Sequence, residues 1–92
     1  MYYDRHGEPM DLMAWARAFE DAPARTVART QVGESTVITM WLGMDEDELV
    51  PPRIFGSIIK TGEAYRSEIR TCTQEEAMQA HLILVSSLSP QG

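Results

Sequence analysis

The chain has 92 residues, 43% of them hydrophobic and 24% charged, which describes one domain over residues 1–92 and leaves no room for a second core. Eight Lys and Arg against fourteen Asp and Glu give a formal net charge of −6, so the chain as a whole repels phosphate backbones and anionic bilayers, and direct nucleic-acid binding is not expected. The lone cysteine, Cys72, excludes an internal disulfide, no apolar run reaches the roughly 18 residues of a membrane span, and charges stand where a signal peptide needs apolar residues, so a reducing cytoplasm is the expected compartment.

The turn-forming cluster Asp4-Arg5-His6-Gly7 follows Tyr2 and Tyr3, where a short strand is expected. Leu12, Trp15, Ala16 and Phe19 recur at helical spacing, with Arg17, Glu20 and Asp21 on the other side. They predict a helix from about Asp11, its N-cap, to Asp21, stopped by Pro23. Arg25 to Val32 and Ser35 to Met44 then read as a hairpin turning at Gly33-Glu34, and Arg53–Thr61 with Ala64–Thr71 as a second turning at Gly62-Glu63. Counting from two-residue turns pairs Val32 with Ser35, Thr26 with Trp41, Ile58 with Ser67 and Gly56 with Ile69. In the second hairpin this gathers Ile54, Ile58, Tyr65 and Ile69 on the expected core face, and Phe55, Ile59, Arg66, Glu68 and Arg70 on the other. In the first hairpin Val27, Ile38, Met40 and Leu42 share one face, against Ala28, Thr30, Val37, Thr39 and Trp41. The acidic, proline-rich stretch Asp45–Pro52 is a connecting loop.

The last element is a helix opened by the capping box Thr73-Gln74-Glu75-Glu76 and ended before Pro90. It places Ala77, Met78, His81, Leu84, Val85 and Leu88 on one face, with Glu75, Glu76, Gln79, Ser86 and Ser87 opposite. The expected fold is α+β: an antiparallel sheet of about four strands in two hairpins, with N-terminal and C-terminal helices packed on one face.

Few residues suggest chemistry. His81 lies within an apolar face, so its ring nitrogens need partners; it is either a base or metal ligand lining a pocket, or a buried imidazole bonded to a carbonyl, a Tyr hydroxyl or a sheet Thr. Cys72 precedes a helix N-terminus, which can activate a thiol for a Cys–His pair, or is simply a half-buried thiol. The Asp45–Glu48 run offers an acidic mimic of nucleic acid or a solvated loop, and its spacing fails the EF-hand pattern. Trp41 with Phe55, Ile59, Arg66 and Arg70 forms a candidate aromatic and arginine interaction surface, unless the sheet curls to bury Trp41. Phosphate loops, dinucleotide fingerprints and metal-ligand spacings are absent, so no cofactor is implied.

The strings Thr36-Val37-Ile38-Thr39-Met40-Trp41-Leu42-Gly43-Met44-Asp45, Pro51-Pro52-Arg53-Ile54-Phe55 and Arg70-Thr71-Cys72-Thr73-Gln74-Glu75-Glu76-Ala77, ending at His81, resemble a family of small, mostly uncharacterised actinobacterial phage proteins. That family's pattern is TVWLGxD, PPxxFE and RxxTxxEAxxxH; here Met40 departs from it before Trp41, and Gly56 stands in place of its Glu. The resemblance implies a phage or prophage origin and carries over no catalytic residue. The expected function is a non-enzymatic interaction module acting on a host protein or as a homodimer. The alternatives are a small enzyme or ligand-binding module with His81 in a pocket, and an acidic nucleic-acid mimic.

Overall fold

The computed structural model describes residues 1–47 and 49–88. Strands β1 (Tyr2–Tyr3) and β2 (Pro9–Met10) form a small antiparallel ribbon. Its turn is organised by Asp4, whose Oδ1 accepts from the amides of His6 and Glu8 at 2.8 and 3.0 Å. Helix α1 (Leu12–Glu20) is capped by Asp11, whose carboxylate accepts from the Ala14 amide at 2.8 Å. Asp21 ends α1 and at once caps a one-turn helix, α2 (Ala22–Arg25), with Pro23 in its first turn, where proline costs no hydrogen bond. Pro23 therefore opens a second helical turn as well as closing the first helix.

Four strands make the main sheet, β3 (Thr26–Val32), β4 (Ser35–Trp41), β5 (Phe55–Thr61) and β6 (Ala64–Thr71), in chain order and antiparallel throughout. Both hairpins turn on a glycine with φ of 61°, a left-handed conformation that the two-residue turn requires at its first position. Helix α3 (Gln74–Leu88) crosses one face of this sheet and contacts all four strands. Its capping box is formed: Thr73 Oγ1 accepts from the Glu76 amide at 3.1 Å, and Glu76 Oε1 accepts from the Thr73 and Cys72 amides, each at 3.1 Å. The fold is thus α+β, with α3 on the sheet and α1 joining the core at the Trp41 end of the strands. No helix among the described residues is long and apolar enough to cross a membrane.

Two β-bulges correct the expected register. Near the turns the pairing is regular, with Val32 opposite Ser35 and Thr61 opposite Ala64. Farther out β3 gains a residue between Thr26 and Ala28, so Thr26 pairs with Met40 instead of Trp41. Strand β6 likewise gains one between Arg66 and Ile69, so Gly56 pairs with Arg70 instead of Ile69. An inserted residue reverses the side on which every later side chain emerges, and this separates Arg66 from Arg70. Arg66 stands opposite Ile59 on the α3 side of the sheet, and Arg70 opposite Gly56 on the other. The expected Ile58–Ser67 partnership and the side chain of Glu68 lie outside what is described.

In the second hairpin the buried face carries Phe55 and Ile59, which were expected outside, while Ile54 and Ile69 reach the core as expected. Val37, Trp41, Phe55 and Ile59 are all buried beneath α3 or α1, whereas Ile58 is half-buried and Tyr65 is 62% exposed. Two apolar clusters result. One joins Trp41, Ile54, Phe55 and Ala77 with Tyr3, Met10, Trp15, Ala18, Phe19 and Val27; the other joins Val37, Ile59 and Leu84 with Ile69, Val85 and Leu88.

Candidate functional site

Three of the five residues expected to form an interaction surface are core residues. Trp41 is 3% exposed, Phe55 0% and Ile59 3%, because strands β4 and β5 turn these side chains toward the helices. The Trp41 indole N–H donates to the Tyr3 carbonyl at 3.1 Å, which satisfies its one polar atom in the core. Arg70 is also committed, its Nη2 donating to the carbonyls of Met44 and Arg53 at 3.0 and 2.8 Å and holding the β4–β5 connection against the sheet. Arg66 alone of the five is exposed.

His81 is 2% exposed and lies between the two apolar clusters, bonded on both sides to sheet hydroxyls. Nδ1 is 2.8 Å from Thr39 Oγ1, Nε2 is 2.8 Å from Thr30 Oγ1, and Thr39 Oγ1 is in turn 2.6 Å from Ser57 Oγ. A neutral imidazole has one donor and one acceptor, and hydroxyls rotate to suit either tautomer, so every member of this chain is satisfied. Burial pushes the His81 pKa down from its ordinary 6.5, keeping the ring neutral. The partners are the sheet threonines that one of the two sequence readings named. His81 lines none of the surface cavities described below, and neither Asp45 nor Cys72 is among its hydrogen-bond partners.

Cys72 lines a cavity of about 310 Å³ together with His6, Pro51, Pro52, Thr73 and Glu76. Desolvation, then the Glu76 carboxylate, push its thiol pKa upward, the reverse of an activated nucleophile. Among the described residues no group of three His, Cys, Asp or Glu side chains converges as a metal site would require.

Asp45 corrects the picture of a solvated acidic loop. Its side chain is buried, with Oδ1 accepting from the Asp47 amide at 3.0 Å and Oδ2 from the Arg53 amide at 2.9 Å and from Arg53 Nε at 3.3 Å. Those bonds, the Arg53 amide foremost, hold the carboxyl down at about 2 despite its burial. Asp47 pairs with the same guanidinium. Two of the four acids therefore brace the loop, Asp45 from within and Asp47 from its surface; Glu46 is exposed and Glu48 lies outside the described residues.

The surface left uncovered is the other face of the sheet. Opposite α3, register places Ile38 beside Ile58, Met40 beside Gly56 and Thr36 beside Lys60, with Arg29 next to Ile38 and Tyr65 next to Lys60. Ile38, Met40 and Ile58 are only half-buried there, and no helix among the described residues packs over their centre. Lys60 Nζ stands 5.6 Å from the centroid of the Tyr65 ring. Toward the α1 end this face runs into a cavity of about 170 Å³ lined by Trp15, Phe19, Leu42, Met44, Glu46 and Arg70. Leu82 and Ile83, 61% and 64% exposed on the outside of α3, make a smaller separate patch.

Sequence reading missed this surface because it took Ile58 and Tyr65 for the core together with Ile54 and Ile69, of which only the last two pack there. One signal was present: a histidine inside a helix face needs hydroxyl partners, and the sheet face holding Thr30, Thr39 and Ser57 supplies them. The class these features define is a small α+β domain with one sheet face covered and one open. The chain matches no family model, no curated protein and no solved structure.

Proposed function

We propose that this chain is a non-enzymatic protein interaction module whose contact surface is the open face of the β3–β6 sheet. The observation that carries the reading is the row of half-buried Ile38, Met40 and Ile58 at the centre of that face. Apolar side chains gathered on an uncovered sheet face gain by being buried against something else, at about 25 cal/mol per Å². The titratable groups point the same way: His81 is enclosed by hydroxyls, Cys72 is held as a thiol, and Asp45 is spent on its own loop. The resemblance to phage proteins makes a bacterial host protein the natural class of partner, with a second copy of the chain the other candidate.

Site-specific photo-cross-linking tests the proposal. A photoreactive residue at Thr36, on the open face, is expected to yield one discrete adduct in actinobacterial cells, while the same residue at Gln79, on the outside of α3, yields none. Equal, diffuse labelling from both positions overturns it.

A further inference from the structure

We infer that the open sheet face receives a single amphipathic helix carrying acidic side chains on both sides of its apolar stripe, supplied by a partner protein. The inference rests on the interaction reading above and adds the chemistry of the occupant.

Size is the first argument. Four strands spaced about 4.8 Å apart and seven residues long at about 3.3 Å each present a face of roughly 19 by 23 Å, or about 440 Å². A standard protein–protein interface takes about 20–30 residues from each partner, whereas alternation turns only about half the residues of these four strands to this face, too few for a stable dimer or a globular partner resting on it alone. A helix of about 15 residues is about 23 Å long, the length of the strands. Helix α3, with 15 residues, already covers the opposite face of the same sheet in this way. A second helix on the open side completes a three-layer arrangement.

Charge is the second argument. In a chain of net charge −6, four of the eight Lys and Arg stand on the sheet strands, as Arg29, Lys60, Arg66 and Arg70, against one carboxylate residue, Glu68. Register sets Arg29 and Lys60 on the open face, on β3 and β5 to either side of β4. Acidic residues flanking the stripe of an incoming helix meet these cations from both sides. A second copy laid face to face brings the same cations and no strand carboxylate residue but Glu68 to set against them, which disfavours it. A nucleic acid meets Ile38, Met40 and Ile58 with no aromatic platform at the centre for its bases, and the net charge repels it from a distance.

The test uses methyl-detected NMR on the full chain with two capped peptides of about 15 residues, Leu at helical i, i+3, i+4, i+7 spacing, one flanked by Glu and the other by Lys. The expected result is shifts at the methyls of Ile38, Met40 and Ile58, with the Glu peptide binding at least about tenfold tighter and losing affinity as salt rises. In the chain carrying Arg29→Glu and Lys60→Glu, both at outward positions that leave the core intact, the preference is expected to reverse.

Equal binding of both peptides at those methyls overturns the acidic partner and leaves the contact face standing. Methyl shifts that appear on concentrating the chain alone, with a dimer in sedimentation, replace the helix with a second copy and likewise overturn it. Shifts from oligo(dT) without shifts from the Glu peptide overturn it in favour of nucleic acid. If neither peptide shifts these methyls, the inference fails; the Thr36 cross-link then decides whether the interaction reading fails with it.

Discussion

Gly43 shows how much one residue decides. Its φ is 75°, and a Cβ placed on it would lie 2.5 Å from Trp15 Nε1 and 2.7 Å from Trp41 Cζ2. Both indoles are anchored, Trp15 by donating to the Leu42 carbonyl at 2.9 Å and Trp41 by donating to Tyr3, so neither moves aside cheaply. Gly43→Ala therefore combines a left-handed alanine with an overpacked core, together on the order of 3 kcal/mol. In a domain of this size that lowers Tm by more than about 10 °C, and a thermal melt within a degree or two of the wild type would contradict the packing described. The His81 chain is the polar counterpart. Thr39→Val strands a ring nitrogen and the Ser57 hydroxyl, at about 1–3 kcal/mol. His81→Leu costs a similar amount, and because both changes break the same bonds, the double variant should lose at least about 1 kcal/mol less than the two losses added together. Strict additivity in urea unfolding would show that the hydroxyls and the imidazole are not coupled.

At the scale of elements, α3 stands on its cap. Thr73→Ala removes the acceptor for the Glu76 amide, and about 1 kcal/mol of stability is expected to go with it, read as a lower urea midpoint at unchanged slope. This cap, the N-cap at Asp11, both hairpin turns and the bounds of β6 were legible because each is written in a few adjacent residues whose chemistry is local. The one-turn helix α2 was not, since Pro23 signals a stop and a start equally well. The sheet faces were misread for a longer-range reason. Each central strand carries large apolar residues on both faces, so alternation alone does not say which is inside. The bulges at Val27 and within 66–69 then moved Thr26, Ile69 and Arg70 off a register counted from the turns. Of the candidate surface, Arg66 alone is exposed, and it stands on the α3 side of the sheet rather than on the open face. The role of Asp45 was hidden because its partner Arg53 lies eight positions on, across a loop with no periodicity.

For the whole molecule, the titrating groups set how stability follows pH. His81 has its pKa lowered below 6.5 in the folded chain, so between 6.5 and that lower value the unfolded chain binds the extra proton. Stability is then full above about 6.5 and falls as the pH drops through this window. Asp45 adds a second step: its pKa is about 2 when folded against 3.8 ordinarily, so the contribution present above 3.8 is lost as the pH falls toward 2. Urea midpoints across this range should show both declines, and His81→Gln should remove the first while leaving the second. A single decline unaffected by His81→Gln would mean that the ring is not held neutral by burial.

The His81–Thr39–Ser57 belt also divides what can be seen of the molecule from outside. Both tryptophans lie on one side of it, against Gly43, while Val37, Ile59 and Leu84 lie on the other without an indole among them. Intrinsic fluorescence is therefore a one-ended signal. If the Leu84 end of α3 lifts away first, the emission stays that of the folded chain while helical circular dichroism falls. The gap between the two curves would then report how far the two halves of this core melt independently.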